Sequence, residues 1–227
     1  MPHVKKEIIL CLYMQQLDFG FHFMSNCFAD FANFITGKRQ FTGVIGAFNC
    51  QGGGWCRETR RNKCASQFSH LVTAKTNPND IEWNSGKNPI SIEGVQVFAM
   101  YFSQSKMLVL CKPYDNIEMA LEPFNFELIT VSPVTALAGK SVQFAPIGLV
   151  NMLNTGGAIQ SLAYNDANSS VQIGVTGTGE MRVFASEKPI ACKIDGREVP
   201  FDYEECMVVT QVPWSAPSGQ SMAEYLF

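Results

Sequence analysis

The chain has 227 residues, a formal net charge of −3 and a hydrophobic content of 46%. This length allows one large domain or two small ones around a sizeable core, and the balance of residue types is that of a globular protein. The slight acidity gives no reason to expect nucleic acid or an anionic membrane surface as a partner. No stretch reaches the ~18 uninterrupted apolar residues that a membrane-spanning helix needs.

Eight cysteines are scattered along the chain without a repeating spacing. They are too sparse for a disulfide framework in a chain of this length, so we expect reduced thiols and a cytoplasmic location. Lys5 and Lys6 before the apolar run Ile8–Leu12 resemble a secretion signal only weakly. Glu7, the short apolar core and the lack of a small-residue cleavage site argue against one.

Residues 1–40 read as an atypical leader. Six phenylalanines crowd residues 19–34, where there is little charge and no clear helical or strand period. The segment predicts neither a helix nor a strand with any strength, and it sets itself apart from the chain that follows.

The most distinctive stretch begins at Phe41. The apolar run Val44–Phe48 predicts a strand that is buried on both faces. A polar, glycine-rich loop ends the run, and such a loop after a strand is how an α/β barrel forms its substrate-facing edge. A tight surface turn after an ordinary strand explains the same residues equally well. The loop consists of Asn49, Cys50, Gln51, Gly52, Gly53, Gly54 and Trp55.

A basic cluster follows in the segment Cys56–Cys64. Arg57, Arg60 and Arg61 would share one face if this segment were helical. A phosphate- or nucleic-acid-binding patch is one interpretation. A solvated loop face is the favoured one, because the cluster is short and the chain is acidic overall.

Catalytic and metal chemistry find little support in the residues. Glycoside cleavage usually needs two carboxylates flanking the scissile bond, and the acidic residues here form no convincing pair. Cys50, Cys56, Cys64 and His70 lack the close two-residue spacing of structural zinc ligands. A nucleophilic Cys50 would need a base such as His70, and the sequence gives no sign that the two meet. We therefore expect no metal and no cofactor.

Beyond residue 65 the chain predicts an antiparallel β-sandwich. Short β-branched and aromatic runs recur at roughly 8–12-residue spacing between Gly, Asn and Asp turns. Asp195-Gly196 marks the clearest hairpin, and Thr176–Glu180 is interpreted as another hairpin turn rather than a phosphate loop. Met152–Gly157 is interpreted as a structured loop or a domain contact, of which the structured loop is favoured. The predicted strands are 68–74, 95–102, 107–110, 124–131, 142–150, 158–164, 171–175, 180–185, 191–194, 207–212 and 222–227.

Several long motifs closely resemble the plant raffinose synthase family. The resemblance covers residues 41–227, and Trp55–Asn62 is more similar to raffinose synthase proper than to the alkaline α-galactosidase branch of the family. The matching stretches are Gly43–Trp55, Thr73–Trp83, Phe124–Val134, Phe144–Gln160, Gly179–Ser186, Val212–Trp214 and Glu224–Phe227.

The resemblance implies a retaining enzyme that moves galactose from galactinol to sucrose through a covalent galactosyl–enzyme intermediate, giving raffinose and myo-inositol. It implies a mainly β chain: a leader (1–40), the last strand and substrate-side loop of a (β/α)₈ barrel (41–65) and a C-terminal antiparallel β-sandwich (66–227). In the intact enzyme, Trp55 would stack near the sugar, and Cys50 and Gln51 would make polar contacts at the barrel mouth.

The family's catalytic aspartates lie on earlier barrel strands, and no residue here corresponds to them. We therefore expect this chain alone to be inactive, and a truncated or misassembled gene model to explain the leader. Three alternatives stay open at this point: the alkaline α-galactosidase branch of the same family, a non-catalytic β-sandwich that binds sugar or packs against another domain, and a destabilised remnant without function.

Overall fold

The computed structural model describes most of the chain from Phe41 onward. The regular secondary structure of its described residues is almost entirely β-strand, with two short 3-10 helices and no α-helix. None of them belongs to a helix that could cross a membrane. The described residues are 31–32, 41–49, 53–56, 59–64, 71–81, 83, 90–123, 125–138, 140–214 and 219–227.

The strands of this part of the chain form antiparallel pairs throughout. The strands are β1 (Phe31–Ala32), β2 (Gly43–Phe48), β3 (Gly53–Cys56), β4 (Arg61–Cys64), β5 (Val72–Thr76), β6 (Phe98–Phe102), β7 (Met107–Cys111), β8 (Ile117–Leu121), β9 (Phe126–Pro133), β10 (Thr135–Ala136), β11 (Gln143–Leu149), β12 (Ile159–Asn165), β13 (Ser170–Thr176), β14 (Gly179–Ala185), β15 (Ala191–Ile194), β16 (Arg197–Val199), β17 (Phe201–Glu204), β18 (Met207–Val212) and β19 (Gln220–Leu226).

Three of the sheets have five strands each. Sheet 1 has the order β1-β2-β9-β6-β7, sheet 2 the order β10-β11-β14-β18-β17, and sheet 3 the order β12-β13-β19-β15-β16. Two smaller pairs, β3–β4 and β5–β8, complete the described strands. These open antiparallel sheets confirm the predicted mainly β fold with a sandwich.

Sheet 2 lies between the other two large sheets. Successive side chains of a strand point to opposite faces, and both faces of β11 and β14 are buried. Phe144 and Val183 belong to a core cluster shared with strands of sheet 3. Their chain neighbours Ala145 and Phe184 belong to a second cluster that contains Tyr101 of sheet 1. Sheets 2 and 3 therefore form the sandwich, and sheet 1 covers the far face of sheet 2.

The outer face of sheet 1 has a core of its own. Phe98, Met100 and Phe102 alternate with the side chains that face sheet 2, and they pack in a cluster with Trp83. The Trp83 ring lies 5.6 Å from the Phe98 ring, and its indole N–H donates to the carbonyl oxygen of Pro78 at 2.8 Å. Trp83 is buried and its N–H donor is satisfied, so it fixes the segment before β6 against the outer face of sheet 1.

Buried threonine hydroxyls join sheets 1 and 2 beside the apolar cluster between them. Thr155 is fully buried, and its hydroxyl donates to the Ile147 carbonyl oxygen at 3.1 Å. Because the Thr155 proton is used in that bond, Thr130 is the donor in the 2.5 Å contact between the Thr155 and Thr130 hydroxyls. Gly148 has a φ of 110°, and a Cβ there would collide with the Thr155 carbonyl group. The predicted structured loop at 152–157 is confirmed, and it forms the contact between the sheets.

Two turn predictions have opposite outcomes. The hairpin at Asp195-Gly196 is confirmed: φ is 51° and 76° at these residues, and β15 pairs with β16 across them. The hairpin predicted at Thr176–Glu180 is wrong. This segment leaves β13 in sheet 3 and enters β14 in sheet 2, so it crosses the sandwich instead of pairing its flanking strands.

The strand predicted within 44–48 is confirmed as β2, which pairs antiparallel with β9 over six residues, from Gly43 opposite Val131 to Phe48 opposite Phe126. A strand of a (β/α)₈ barrel has parallel neighbours, and no described sheet closes into a barrel. The barrel origin of β2 therefore stays a prediction. The division of the chain at residues 40 and 65 also stays a prediction. Sheet 1 contains β1, β2 and later strands, so it includes residues on both sides of each boundary. Within the leader, the structure describes only Phe31 and Ala32.

We predict that Gly148→Ala destabilises the fold far more than Gly94→Ala. Both glycines have positive φ, but nothing lies within 4 Å of a Cβ on Gly94, whereas one on Gly148 meets backbone atoms. Gly94→Ala should therefore lower the free energy of unfolding by about 1 kcal/mol, and Gly148→Ala by roughly 3 kcal/mol or more. Urea denaturation followed by circular dichroism measures both. Equal losses would contradict the close contact.

We also predict that Cys111 and Cys192 resist alkylation in the folded chain. Burial raises the pKa of the Cys111 thiol to about 11, with Asp115 adding to the effect, and burial raises that of Cys192 to about 12. Because the thiolate is the reactive form, their labelling by iodoacetamide at pH 8 should be at least ~100-fold slower than in urea. Partly exposed Cys206 serves as the accessible control. Site-resolved mass spectrometry measures the rates, and rapid native labelling of Cys192 would contradict the fold.

Candidate functional site

The predicted loop begins at one identifiable end of the stacked sheets. Tyr101, near the end of β6, lies under the guanidinium of Arg182, the middle residue of β14, with 5.4 Å from the guanidinium carbon to the ring centroid. Strands β2 and β6 are both antiparallel to β9, so both end on this side of sheet 1. We call this side, which carries Asn49, the Asn49 end.

Asn49 is buried and makes hydrogen bonds within the fold. Its side chain is 1% exposed. Its backbone N–H donates to the carbonyl oxygen of Asn125 and its side-chain Nδ2 to that of Leu121, each at 2.9 Å. These bonds join the end of β2 to the turn between β8 and β9, so Asn49 acts on the loop that follows by positioning it. Its predicted contact with sugar stays a prediction.

The rest of the predicted loop is described in part. Cys50, Gln51 and Gly52 lie outside the described residues. Gly53, Gly54 and Trp55 belong to β3, which pairs with β4 so that Gly53 faces Cys64. The glycines and the tryptophan thus continue into a short β-hairpin that follows directly from the Asn49 end.

The basic cluster is part of the same hairpin. A helical face for Arg57, Arg60 and Arg61 is wrong, because Arg61 begins β4 and the turn before it contains Arg60 with a φ of 50°. Arg57 lies outside the described residues. Arg60 and Arg61 are exposed, in agreement with the interpretation of a solvated face.

An aromatic shelf that was not predicted from the sequence precedes this loop. Phe48 and Phe126 are opposite each other at the end of sheet 1, and their rings stack at 5.7 Å with 21° between the planes. Both are only partly buried. The Phe48 ring extends over Gly46, where a Cβ would come within 2.9 Å of it. Flat apolar surface next to polar groups is typical of small-molecule sites. Phe48, the last residue of the apolar run, was the one feature of the sequence that could have indicated this shelf.

A charged pair lies between the sheets at the same end. The Nε of Arg182 is 2.6 Å from Oε1 of Glu180, with side-chain exposures of 14% and 33%. Burial raises the pKa of the Tyr101 phenol beneath the pair, an effect that Arg182 opposes and that Glu180 and Glu127 reinforce. Tyr101 therefore stays a neutral phenol at physiological pH and cannot serve as a base.

The carboxylates near the Asn49 end hold the fold together. Glu127 is buried and accepts hydrogen bonds from the backbone N–H groups of Gln104, Ser105 and Leu128, at 2.7, 3.2 and 3.1 Å. Glu180 is bound to Arg182. Among the described residues no group of three or more His, Cys, Asp or Glu could hold a metal ion.

Comparison with known proteins finds close relatives. The family model described as raffinose synthase or seed imbibition protein Sip1 matches residues 34–212. Over 193 residues the chain is 63% identical to probable galactinol–sucrose galactosyltransferase 5 of Arabidopsis thaliana and 59% identical to the galactinol–sucrose galactosyltransferase of Pisum sativum. It is 44% identical over 198 residues to the galactinol–sucrose galactosyltransferase of Oryza sativa subsp. japonica.

The matches differ greatly in the share of each protein they cover. They include 85% of this chain but only 24–25% of those three relatives. The chain thus spans about a quarter of the length of the curated relatives that it matches. The family model covers well over half of the chain, so this chain belongs to the raffinose synthase family.

Proposed function

We propose that this chain is the C-terminal β part of a galactinol–sucrose galactosyltransferase. The intact enzyme moves galactose from galactinol to sucrose, giving raffinose and myo-inositol, in the cytoplasm. The supporting observation is the 63% and 59% identity to relatives that carry this name. The same identities favour the transferase over the alkaline α-galactosidase branch, in which water replaces sucrose as the acceptor.

Within that enzyme, the Asn49 end forms one wall of the sugar site. Trp55 stacks on a sugar ring, Cys50 and Gln51 contact hydroxyl groups, and the glycines 52–54 allow the backbone to approach the substrate. Asn49 supports these contacts from behind through its two hydrogen bonds to the β8–β9 turn. The Phe48–Phe126 shelf adds apolar surface beside them.

The reacting carboxylates belong to another part of the intact enzyme. A retaining transfer needs two carboxyl groups ~5–5.5 Å apart on either side of the glycosidic bond. Glu127 and Glu180, the carboxylates described near this end, are bound to backbone amides and to Arg182. We therefore infer that this chain does not transfer galactose by itself.

A direct experiment compares this chain with a chimera in which its residues 41–227 replace the matching part of the Pisum sativum relative. Both are incubated with galactinol and sucrose, and raffinose and myo-inositol are quantified by chromatography. We expect turnover by the chimera and none by the isolated chain. Turnover by the isolated chain would contradict the assignment of the carboxylates. An inactive but folded chimera would contradict the transferase function.

In the active chimera, Trp55→Ala should weaken the use of galactinol. Losing one stacked ring removes roughly 1–1.5 kcal/mol, which corresponds to about a tenfold fall in kcat/KM. Trp55→Phe keeps an aromatic face and should retain most of the activity. Steady-state kinetics at varied galactinol concentration measures both variants. Unchanged kinetics for Trp55→Ala would remove Trp55 from the sugar site.

A further inference from the structure

An open groove lies along one edge of the sandwich, where the chain passes from sheet 3 to sheet 2. Strand β16 is the outermost strand of sheet 3, β17 is that of sheet 2, and Pro200 is the one residue between them. The groove has a volume of about 470 Å³, which lies in the range of small-molecule sites. It is lined by Lys188, Glu198, Val199, Pro200 and Phe201. It shares no residue with the loop or the aromatic shelf at the Asn49 end.

The apolar lining of the groove is held in place by both sheets. Val199 pairs with Cys192 of β15, and Phe201 pairs with Thr210 of β18. Val199 and Phe201 are only partly buried, and both pack against the core between sheets 2 and 3. The ring of Pro200 fixes the backbone φ between them. The sandwich therefore presents an apolar surface with one aromatic ring at its edge.

Lys188 lies in the short loop that follows β14, and hydrogen bonds fix this loop on both sides of it. The backbone N–H of Ser186 donates to the carbonyl oxygen of Gln143 at 2.9 Å, and the backbone N–H of Gln143 donates to the Ser186 hydroxyl at 2.8 Å. After Lys188, the backbone N–H of Ile190 donates to the carbonyl oxygen of Leu226 at 2.7 Å. The backbone at Lys188 is therefore positioned before a ligand binds, which lowers the entropic cost of binding.

The two charged side chains of the groove have opposite signs and unused hydrogen-bonding groups. Neither Lys188 nor Glu198 makes a side-chain hydrogen bond or an ion pair with any residue that the structure describes. The ammonium nitrogen of Lys188 lies 5.7 Å from the centroid of the Phe201 ring. An ammonium group only donates hydrogen bonds, and a carboxylate only accepts them. Because Glu198 repels an anion and Lys188 repels a cation, the pair suits a neutral ligand that carries hydroxyl groups.

A neutral sugar meets these requirements. Its hydroxyl groups both donate and accept hydrogen bonds, and the C–H face of its ring can pack on an aromatic side chain. We propose that the groove is a second sugar-binding site, separate from the Asn49 end. Lys188 donates to sugar hydroxyl groups, Glu198 accepts from them, and Phe201 contacts the apolar face of the ring. This proposal rests on the proposed function for the choice of sugars, which are the substrates and the product of that reaction.

Titration of the isotopically labelled chain with raffinose, followed by NMR, tests the proposal without any substitution. We expect chemical-shift changes that saturate at millimolar raffinose and are centred on residues 186–190 and 198–201. Inorganic phosphate, an anionic probe, should leave these residues unchanged. The absence of saturable changes with raffinose would overturn the proposal. Changes centred elsewhere in the chain, or stronger binding of phosphate in the groove, would also overturn it.

A double variant measures what the charged pair contributes. Lys188→Met with Glu198→Met removes the donor and the acceptor, so raffinose should bind at least about tenfold more weakly, because hydrogen bonds to charged groups are the stronger ones. The matched control is Lys75→Met with Glu118→Met, which removes an exposed ion pair of 3.7 Å outside the groove and should leave binding unchanged. Circular dichroism checks that both variants are folded. Equal binding by the two double variants would overturn the proposal.

The titration and the chimera assay can fail independently of each other. Raffinose binding in the groove without galactosyl transfer by the folded chimera would contradict the proposed function and support the second site. Transfer by the chimera without raffinose binding in the groove would do the reverse.

Discussion

Thr155 links sheet 2 to Thr130 of sheet 1, and its turn lies close against β11 where residue 148 is glycine. A side chain at residue 148 would separate β11 from the turn that bears Thr155, and the buried hydroxyl contacts to Thr130 and Ile147 would be lost with it. Buried hydroxyls without partners are costly, so the two sheets have one well-defined stacking. Both faces of sheet 2 are then filled with apolar side chains.

That stacking creates the Asn49 end. It places Tyr101 of sheet 1 under Arg182 of sheet 2, and β2 ends with Phe48 opposite Phe126. The stacked rings of Phe48 and Phe126 lie at the end of β2, and the β3–β4 hairpin follows shortly afterwards in the sequence.

Much of this fold follows from local sequence. Alternating and continuous apolar runs located most strands beyond residue 95, and Asp195-Gly196 located its hairpin because few residues other than glycine suit that turn. Non-local features could not be predicted in this way. β2 is recognisable as a strand, but its partner β9 lies about 80 residues later, and the crossing at Thr176–Glu180 has the local chemistry of a hairpin. A turn sequence does not reveal which sheet the next strand joins.

The candidate site shows the same difference between local features, which the sequence predicts, and non-local contacts, which it does not. The glycine-rich loop was conspicuous in sequence, and the structure places its described part in a hairpin beside the Asn49 end. The burial of Asn49 and the stacking of Phe48 on Phe126 depend on contacts between residues more than 70 positions apart. Strands β4 and β8 escaped prediction because charged residues interrupt their apolar pattern, and β3 did so because its two glycines are typical of a loop.

The most direct test of this account is a crystal structure of the Pisum sativum relative with galactinol bound. The account predicts that the galactosyl ring lies within about 4 Å of the residues matching Cys50–Trp55. It also predicts that both carboxylates at the anomeric carbon come from outside the segment that matches this chain. A sugar bound away from that loop, or a reacting carboxylate supplied from within the matching segment, would contradict it.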